Sequence, residues 1–168
     1  MLRDATPDDA PIILALNAAI VAVLSPLDQA RLEHLAGQAA LYRVAEQEGK
    51  VLAFLLAMRE GADYDSPNYR WFAAHYPRFL YIDRIVVAAG AHGRGLGERL
   101  YRDAFAQASA DGVPVLTCEF DIAPPNPASA RFHARLGFRE VGRQALGAGK
   151  SVSLQALDVE PGTPLSPK

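Results

Sequence analysis

A glycine-rich junction between a strand and a helix constrains the fold of this chain most. The apolar run 79–87 (FLYIDRIVV) is rich in β-branched and aromatic residues, which is typical of a buried strand. It leads into the loop 92–97 (HGRGLG), after which a helical pattern begins, giving an expected helix over 94–109. Glycines at such a junction let backbone N–H groups approach a ligand closely, and the positive end of the helix favours anions. The loop therefore predicts a phosphate or pyrophosphate cradle, although short Gly-x-Gly strings also occur in ordinary tight turns.

A second strand and helix follow this unit and make the pattern more specific. The run 113–122 is apolar and predicts a strand that continues the first as a right-handed parallel unit. Asn126 then precedes Pro127, which is the usual signal for a helix N-cap and first helical position, and the helix is expected over 127–136. The helix carries Phe132 and His133 and is followed by Gly137-Phe138.

Together the two segments resemble the acetyl-CoA-binding core of the GNAT superfamily of N-acetyltransferases. That family has a strand, Gln/Arg-x-x-Gly-x-Gly/Ala, a helix, another strand, and then Asn-x-x-Ala/Ser with an aromatic pair ahead of Gly-Phe. The opening segment 2–10 also resembles the family's first strand and helix cap, so the resemblance covers residues 1–157. It implies an α/β fold with a central mixed sheet of about seven strands and about four flanking helices. The sheet is expected to splay between strands 79–88 and 113–122.

The resemblance also implies a cofactor and the residues that bind it. Acetyl-CoA would be the acyl donor, with its pyrophosphate on the loop amides and its pantetheine on the backbone of Val86 and Val87. Arg94 could add a charge-assisted contact, or could be a solvated loop arginine. The implied cofactor-binding residues are Ile85, Val86, Val87, His92, Gly93, Arg94, Gly95, Leu96, Gly97, Asn126, Ser129 and Phe132.

Two positions depart from the family pattern. His92 stands where the family has Gln or Arg, which affects a side-chain contact but not the backbone cradle. His133 stands where many members have a Tyr that protonates the departing thiolate. An imidazole can donate a proton near neutral pH, so His133 is a candidate general acid. The competing interpretation is a helix histidine that packs against Phe138.

Two carboxylates in apolar strands are candidates for the base that deprotonates the amine. Asp83 shares a strand face with Tyr81, Ile85 and Val87, and Glu119 lies in the neighbouring strand. A carboxylate in such a strand needs a partner or acquires a perturbed pKa, and such positions cluster at functional sites. An ion pair with a nearby arginine would explain Asp83 equally well, and a rim or structural role would explain Glu119. A water chain to either group would also serve.

Composition and charge limit the class of protein. The chain has 168 residues, half of them hydrophobic and 21% charged, with a net charge of −2 that argues against a nucleic-acid partner. Cys118 is the only cysteine and is expected to be a buried, inert thiol. The longest apolar stretch, 12–24, is too short for a membrane span and lacks the basic lead-in of a signal peptide. We expect a cytoplasmic protein without a membrane partner or a metal site.

The remaining elements follow from capping and periodicity. Thr6-Pro7 predicts a helix start after a strand at 2–5, with Ile13, Leu16, Ile20 and Leu24 facing the core. A second helix is expected from Ser25-Pro26 to Ala36 with Gly37 as its stop. The patterns 40–47 and 50–60 predict a hairpin, and 138–145 and 150–157 predict two further strands. The segment 61–78 shows no periodicity and is aromatic, which is typical of a functional or partner-covered loop. One domain, 1–157, and a loose tail, 158–168, are expected.

The expected activity is direct transfer of an acetyl group from acetyl-CoA to a primary amine. Near-neutral charge and the aromatic residues of 61–78 favour a small or amino-acid-like acceptor over a Lys-rich protein. One alternative is a catalytically silent CoA-binding sensor or regulatory module of the same fold. A nucleotide-binding domain is disfavoured, because the loop lacks a Gly-Lys-Ser/Thr ending and an acidic ribose-binding residue. The sequence leaves open whether the protein forms a homodimer.

Overall fold

A computed structural model describes residues 1–20 and 25–165 of the chain. Within these ranges the structure has seven strands and five α-helices. The strands are β1 (Leu2–Asp4), β2 (Leu41–Gln47), β3 (Lys50–Arg59), β4 (Leu80–Val87), β5 (Val115–Ala123), β6 (Arg139–Gly147) and β7 (Lys150–Asp158). The α-helices are α1 (Ala10–Ala18), α2 (Gln29–Gln38), α3 (Pro67–His75), α4 (Leu96–Ala110) and α5 (Pro127–Leu136).

The seven strands form one mixed sheet in the order β1-β2-β3-β4-β5-β7-β6. β2 is antiparallel to β1 and to β3, and β7 is antiparallel to β5 and to β6. The parallel contact is between β4 and β5, where Leu80 pairs with Leu116 and Tyr81 with Thr117. This mixed sheet with helices confirms the predicted fold class, with one helix more than expected.

The chain folds into two compact units. The first comprises Met1–Met58 and Ile82–Ala104, and the second comprises Arg59–Tyr81 and the chain from Phe105 onward. The core of the first unit includes the fully buried Ile13, Leu35, Val44, Phe54 and Leu100. The core of the second includes the fully buried Phe72, Phe79, Tyr81, Leu116 and Leu154.

The first two helices differ from the sequence prediction at their ends. Thr6 precedes a short 3-10 turn, Pro7–Asp9, and its backbone N–H donates to the Asp9 carboxylate at 2.8 Å, so the predicted capping is present. Ile13 and Leu16 are buried, Ile20 lies beyond the end of α1, and the predicted core position Leu24 lies outside the described residues.

The second helix begins later than the Ser25-Pro26 signal predicts, so that boundary was wrong. Asp28 is the N-cap of α2, because its carboxylate accepts the Arg31 N–H at 2.7 Å. Ser25 is held instead by Arg84, which donates to its hydroxyl at 3.1 Å. Gly37 lies inside the helix, which ends at Gln38.

The segment 61–78 contains a helix that periodicity did not reveal. Ser66 caps α3 by accepting the Tyr69 N–H at 3.4 Å, and Pro67 takes the first helical position. Tyr64, Tyr69 and Phe72 are buried, and the Tyr69 ring lies 5.6 Å from Tyr64 and 5.7 Å from Phe79. The aromatic residues of this segment therefore serve mainly to pack α3 within the second unit.

The end of the chain is partly held by hydrogen bonds. Val159 is buried and its N–H donates to the Pro114 carbonyl at 2.9 Å. The Ser109 hydroxyl donates to the Glu160 carbonyl at 3.2 Å and accepts the Gly162 N–H at 3.0 Å. The start of the predicted loose tail is thus attached, and its residues 166–168 lie outside the described residues. Across the described ranges, no helix has both the length and the hydropathy that a membrane span requires.

Candidate active site

The glycine loop between β4 and α4 has the geometry of an open backbone cradle. Gly93 and Gly95 have φ angles of +77° and +73°, a region that side-chain-bearing residues rarely adopt. Nothing lies within 4 Å of the position that a Cβ would take at either glycine, so ligand atoms can approach the backbone there. The Gly95 carbonyl accepts the Arg99 N–H at 3.0 Å, which places Gly95 at the N-cap of α4. The first N–H groups of α4, which have no acceptor within the helix, therefore follow directly on this open loop.

Arg94 and His92 are exposed side chains that bond to the protein around the loop. Arg94 donates to the Gly90 carbonyl at 3.1 Å and to the Gln47 side chain at 3.4 Å. The His92 Nε2 lies 3.0 Å from the Val87 carbonyl oxygen, so the ring is held over the end of β4. Leu96 is buried and anchors the start of the helix, whereas Gly97 is half-buried.

Asp83 is buried in an ion pair with its neighbour Arg84. The Arg84 Nε donates to Asp83 Oδ2 at 2.6 Å, and both side chains are at least 95% buried. Arg84 also donates to Asn17 Oδ1 at 3.0 Å, and Asn17 donates to the Ser25 carbonyl at 3.2 Å. This arrangement corresponds to the arginine ion pair that competed with a catalytic role for Asp83. Sequence reasoning named an arginine partner but did not identify Arg84, because adjacent strand residues point to opposite faces.

Glu119 is half-buried in β5 and is bonded to a tyrosine of β4. The Tyr81 hydroxyl donates to Glu119 Oε1 at 2.9 Å, and Tyr81 has no exposed surface. Sequence reasoning placed Tyr81 beside Asp83 on one strand face but did not pair it with Glu119. The parallel register, in which Tyr81 lies opposite Thr117, brings Glu119 onto the same face two residues further along β5.

His133 is buried among aromatic rings on α5. Its ring lies 5.4 Å from each of Phe120, Phe132 and Phe138, stacked on the first and edge-on to the other two. Nδ1 lies 2.7 Å from the Ser129 carbonyl oxygen, so this nitrogen carries a hydrogen and donates. Burial lowers the pKa of His133, and the bond to the Ser129 carbonyl raises it by a smaller amount. A buried neutral imidazole matches the packing role better than the acid role, because an acid at this position needs the cation.

The other predicted residues of α5 lie at its start. The Asn126 side chain accepts the Ser129 N–H at 3.2 Å, which is the N-cap predicted from Asn-Pro. The Ser129 hydroxyl lies 3.2 Å from His133 Nδ1, so Ser129 contacts the predicted acid residue directly. Phe132 is half-buried beside the His133 ring.

The predicted site residues divide between the two units. Asp83, the end of β4 (Ile85, Val86 and Val87) and the loop 92–97 belong to the first unit. Glu119, Asn126, Ser129, Phe132 and His133 belong to the second. Within the first unit, the structure joins the strand end to the loop through His92 and Val87. Within the second unit, His133 contacts Ser129 and Phe132, and Glu119 accepts a hydrogen bond from Tyr81.

The model of the Acetyltransferase (GNAT) family matches residues 14–138, which is most of the chain. This chain belongs to the GNAT acetyltransferase family. The match includes the glycine loop, both candidate carboxylates and all of α5, so the sequence resemblance is confirmed.

A curated relative of this GNAT protein is also an N-acetyltransferase. A 58-residue segment is 48% identical to phosphinothricin N-acetyltransferase of Streptomyces coelicolor, covering 34% of this chain and 33% of that protein. The chain thus spans about a third of the length of the curated relative that it matches.

Solved structures show the same fold at low sequence identity. The ribosomal-protein-S18-alanine N-acetyltransferase of Escherichia coli has a TM-score of 0.73 at 16% identity, with 97% of this chain and 96% of that chain covered. The putative acetyltransferase yncA of Salmonella typhimurium, solved with its cofactor acetyl-CoA, has a TM-score of 0.70 at 20% identity. That comparison covers 100% of this chain and 97% of yncA.

Proposed function

We propose that this protein is an N-acetyltransferase that moves an acetyl group from acetyl-CoA to the primary amine of a small, amino-acid-like acceptor. The observation that carries the proposal is the open glycine loop at the start of α4, within a chain of the GNAT family. A partial match to a phosphinothricin N-acetyltransferase and a net charge of −2 support a small-molecule acceptor.

The loop geometry fits the diphosphate of such a donor. Two glycines in the left-handed region, open space above them and the first N–H groups of α4 form a site for an anion. The amides of residues 93–97 would hold the pyrophosphate, and Arg94 could add a charged contact once it leaves the Gly90 carbonyl. When bound, acetyl-CoA supplies an activated acetyl thioester. The backbone of β4 at Val86 and Val87 would orient it.

In the proposed reaction, a carboxylate or a water molecule accepts the proton of the amine. Glu119 would accept the proton of the amine, directly or through water, since its half-buried carboxylate accepts a hydrogen bond from the neutral Tyr81 hydroxyl. Asp83 is a weaker candidate, because Arg84 holds its carboxylate in a buried ion pair. His133 would shape the site by packing with its three phenylalanine neighbours.

The first experiment tests cofactor binding by the loop. We expect CoA to raise the melting temperature of the wild type, because a ligand that binds only the folded state stabilises it. The Gly95→Val and Gly97→Val variants should lose this shift. Gly61→Val is the matched control, because Gly61 also has a positive φ, of +82°, and open space around it. An unchanged shift in both loop variants would remove the cradle assignment.

The second experiment measures turnover against a panel of primary amines. Acetyl-CoA and each amine are supplied, and release of the free thiol is followed with a thiol reagent. Acetylation of a small amine supports the proposal. A CoA-dependent melting shift without turnover on any amine would instead identify a silent CoA-binding module. The cytoplasmic location and the formation of a homodimer stay predictions from the sequence.

A further inference from the structure

The hydrogen bond between Tyr81 and Glu119 joins a fully buried donor to a half-buried carboxylate. The hydroxyl of Tyr81 donates to Glu119 Oε1 at 2.9 Å. The two residues lie 38 positions apart in sequence and meet through the parallel pairing of β4 with β5. A charged acceptor makes such a bond about twice as strong as a bond between neutral groups. The bond therefore constrains the orientation of Glu119, and a donor at this distance favours the charged form of a carboxyl group.

The Tyr81 ring is itself held by α3. Its centroid lies 5.7 Å from that of Tyr69, edge-on, and 5.7 Å from that of Phe72. Tyr69 is fixed in turn, because its hydroxyl donates to the Arg59 carbonyl at 2.8 Å and accepts the Ala62 N–H at 2.9 Å. The aromatic side chains of α3 thus prevent the Tyr81 hydroxyl from swinging away from the carboxylate.

We propose that Tyr81 is a positioning residue, which holds the Glu119 carboxylate in one orientation and in its charged form so that it can act as the base. This inference rests on the proposed function, in which Glu119 accepts the amine proton. In that step an N–H bond of the protonated amine breaks and an O–H bond forms on Glu119, which later releases the proton to water. Tyr81 keeps its own proton throughout and acts only as a hydrogen-bond donor.

The test is the Tyr81→Phe variant, which removes the hydroxyl and keeps the ring. A hydrogen bond to the charged form of a carboxyl group lowers its pKa, so losing the bond should raise the pKa of Glu119. We expect the acidic limb of the kcat/KM profile to move up by roughly 0.5–1 pH unit. We also expect kcat to fall about fivefold, with little change in KM.

Tyr69→Phe is the matched control. It removes a hydroxyl that bonds to the backbone at Arg59 and Ala62, and it keeps the ring that packs against Tyr81. It should lower the melting temperature and leave the pH profile in place. An equal movement of the acidic limb in both variants would overturn the proposal, because it would reflect general loosening of the cluster.

A direct titration separates this inference from the proposed function. The Glu119 carboxyl is followed by NMR in protein labelled with 13C-glutamate, and Glu119→Gln assigns the signal. A higher midpoint in Tyr81→Phe supports the inference even where turnover is absent, and an unchanged midpoint overturns it. If Tyr81→Phe does not fold, 3-fluorotyrosine at position 81 provides a stronger donor and should lower the midpoint instead. Absence of turnover in the wild type would count against the proposed function alone.

Discussion

Replacing Arg84 with methionine should destabilise the protein strongly, because it would leave the Asp83 carboxylate buried without its guanidinium partner. The Arg84 and Asp83 side chains are only 3% and 5% exposed, so little water is available to solvate the charge that remains. Removing one member of a buried ion pair costs about 3–5 kcal/mol. The substitution also removes the donors to Asn17 Oδ1 and to the Ser25 hydroxyl.

The expected change in melting temperature follows from the size of the chain. For a protein of this size, each kcal/mol of lost stability lowers the melting temperature by about 2–4 °C. Arg84→Met should therefore melt roughly 6–20 °C below the wild type. Urea denaturation at neutral pH measures the free energy of unfolding directly. Arg102→Met is the matched control, because Arg102 pairs with Glu98 one turn away on α4, where the two side chains are 32% and 43% exposed, and it should cost about 0.5 kcal/mol or less.

The double variant separates a structural Asp83 from a catalytic one. Asp83→Asn combined with Arg84→Met removes both charges, and it should recover much of the stability that Arg84→Met loses. If Asp83 serves only the ion pair, the double variant should keep kcat within about threefold of wild type. A fall of about a hundredfold in a stable double variant would identify Asp83 as the base and refute this interpretation. A loss below about 1 kcal/mol in Arg84→Met alone would refute the stability argument.

Three further outcomes test the packing and the charge states. Gly142→Ala should lower the free energy of unfolding in urea by about 1–3 kcal/mol, because a Cβ there would lie 2.6 Å from Trp71 Cζ2. Gly37→Ala is the control and should be neutral or stabilising, because nothing lies within 4 Å of a Cβ at that helical position. His133→Phe and His133→Tyr should give similar kcat values if the imidazole only packs, and a large loss confined to the Phe variant would show acid catalysis. Because burial lowers the folded-state pKa of His133, wild-type stability should fall as pH drops below about 6.5, and His133→Phe should flatten that dependence in pH-resolved denaturation.

The amino-acid sequence alone determined the local elements of this protein. The β2–β3 hairpin, the loop 92–97 and the Asn126 cap all depend on residues within a few positions of one another. Glycine conformations and cap bonds are decided by the backbone nearby, so the sequence pattern is sufficient to predict them. The order of these elements also carried the family resemblance, which the family match confirmed.

The helix α3 shows where periodicity fails. Its buried residues Asn68, Tyr69 and Phe72 span little more than one turn, which is too short for a repeating pattern. The signal that could have found it is Ser66-Pro67, an N-cap followed by Pro at the first helical position, as Asn126-Pro127 is at the start of α5. The aromatic residues there suggested a functional loop, whereas burial shows that most of them are core.

Only the tertiary structure decided which partners the candidate catalytic residues have. Asp83 and Glu119 look alike in sequence, each a carboxylate in an apolar strand. Folding gives Asp83 a buried guanidinium and gives Glu119 a phenol from a strand 38 positions earlier. These partners depend on strand register and on the depth of burial, which are properties of long-range packing and which set the orientation of each carboxylate.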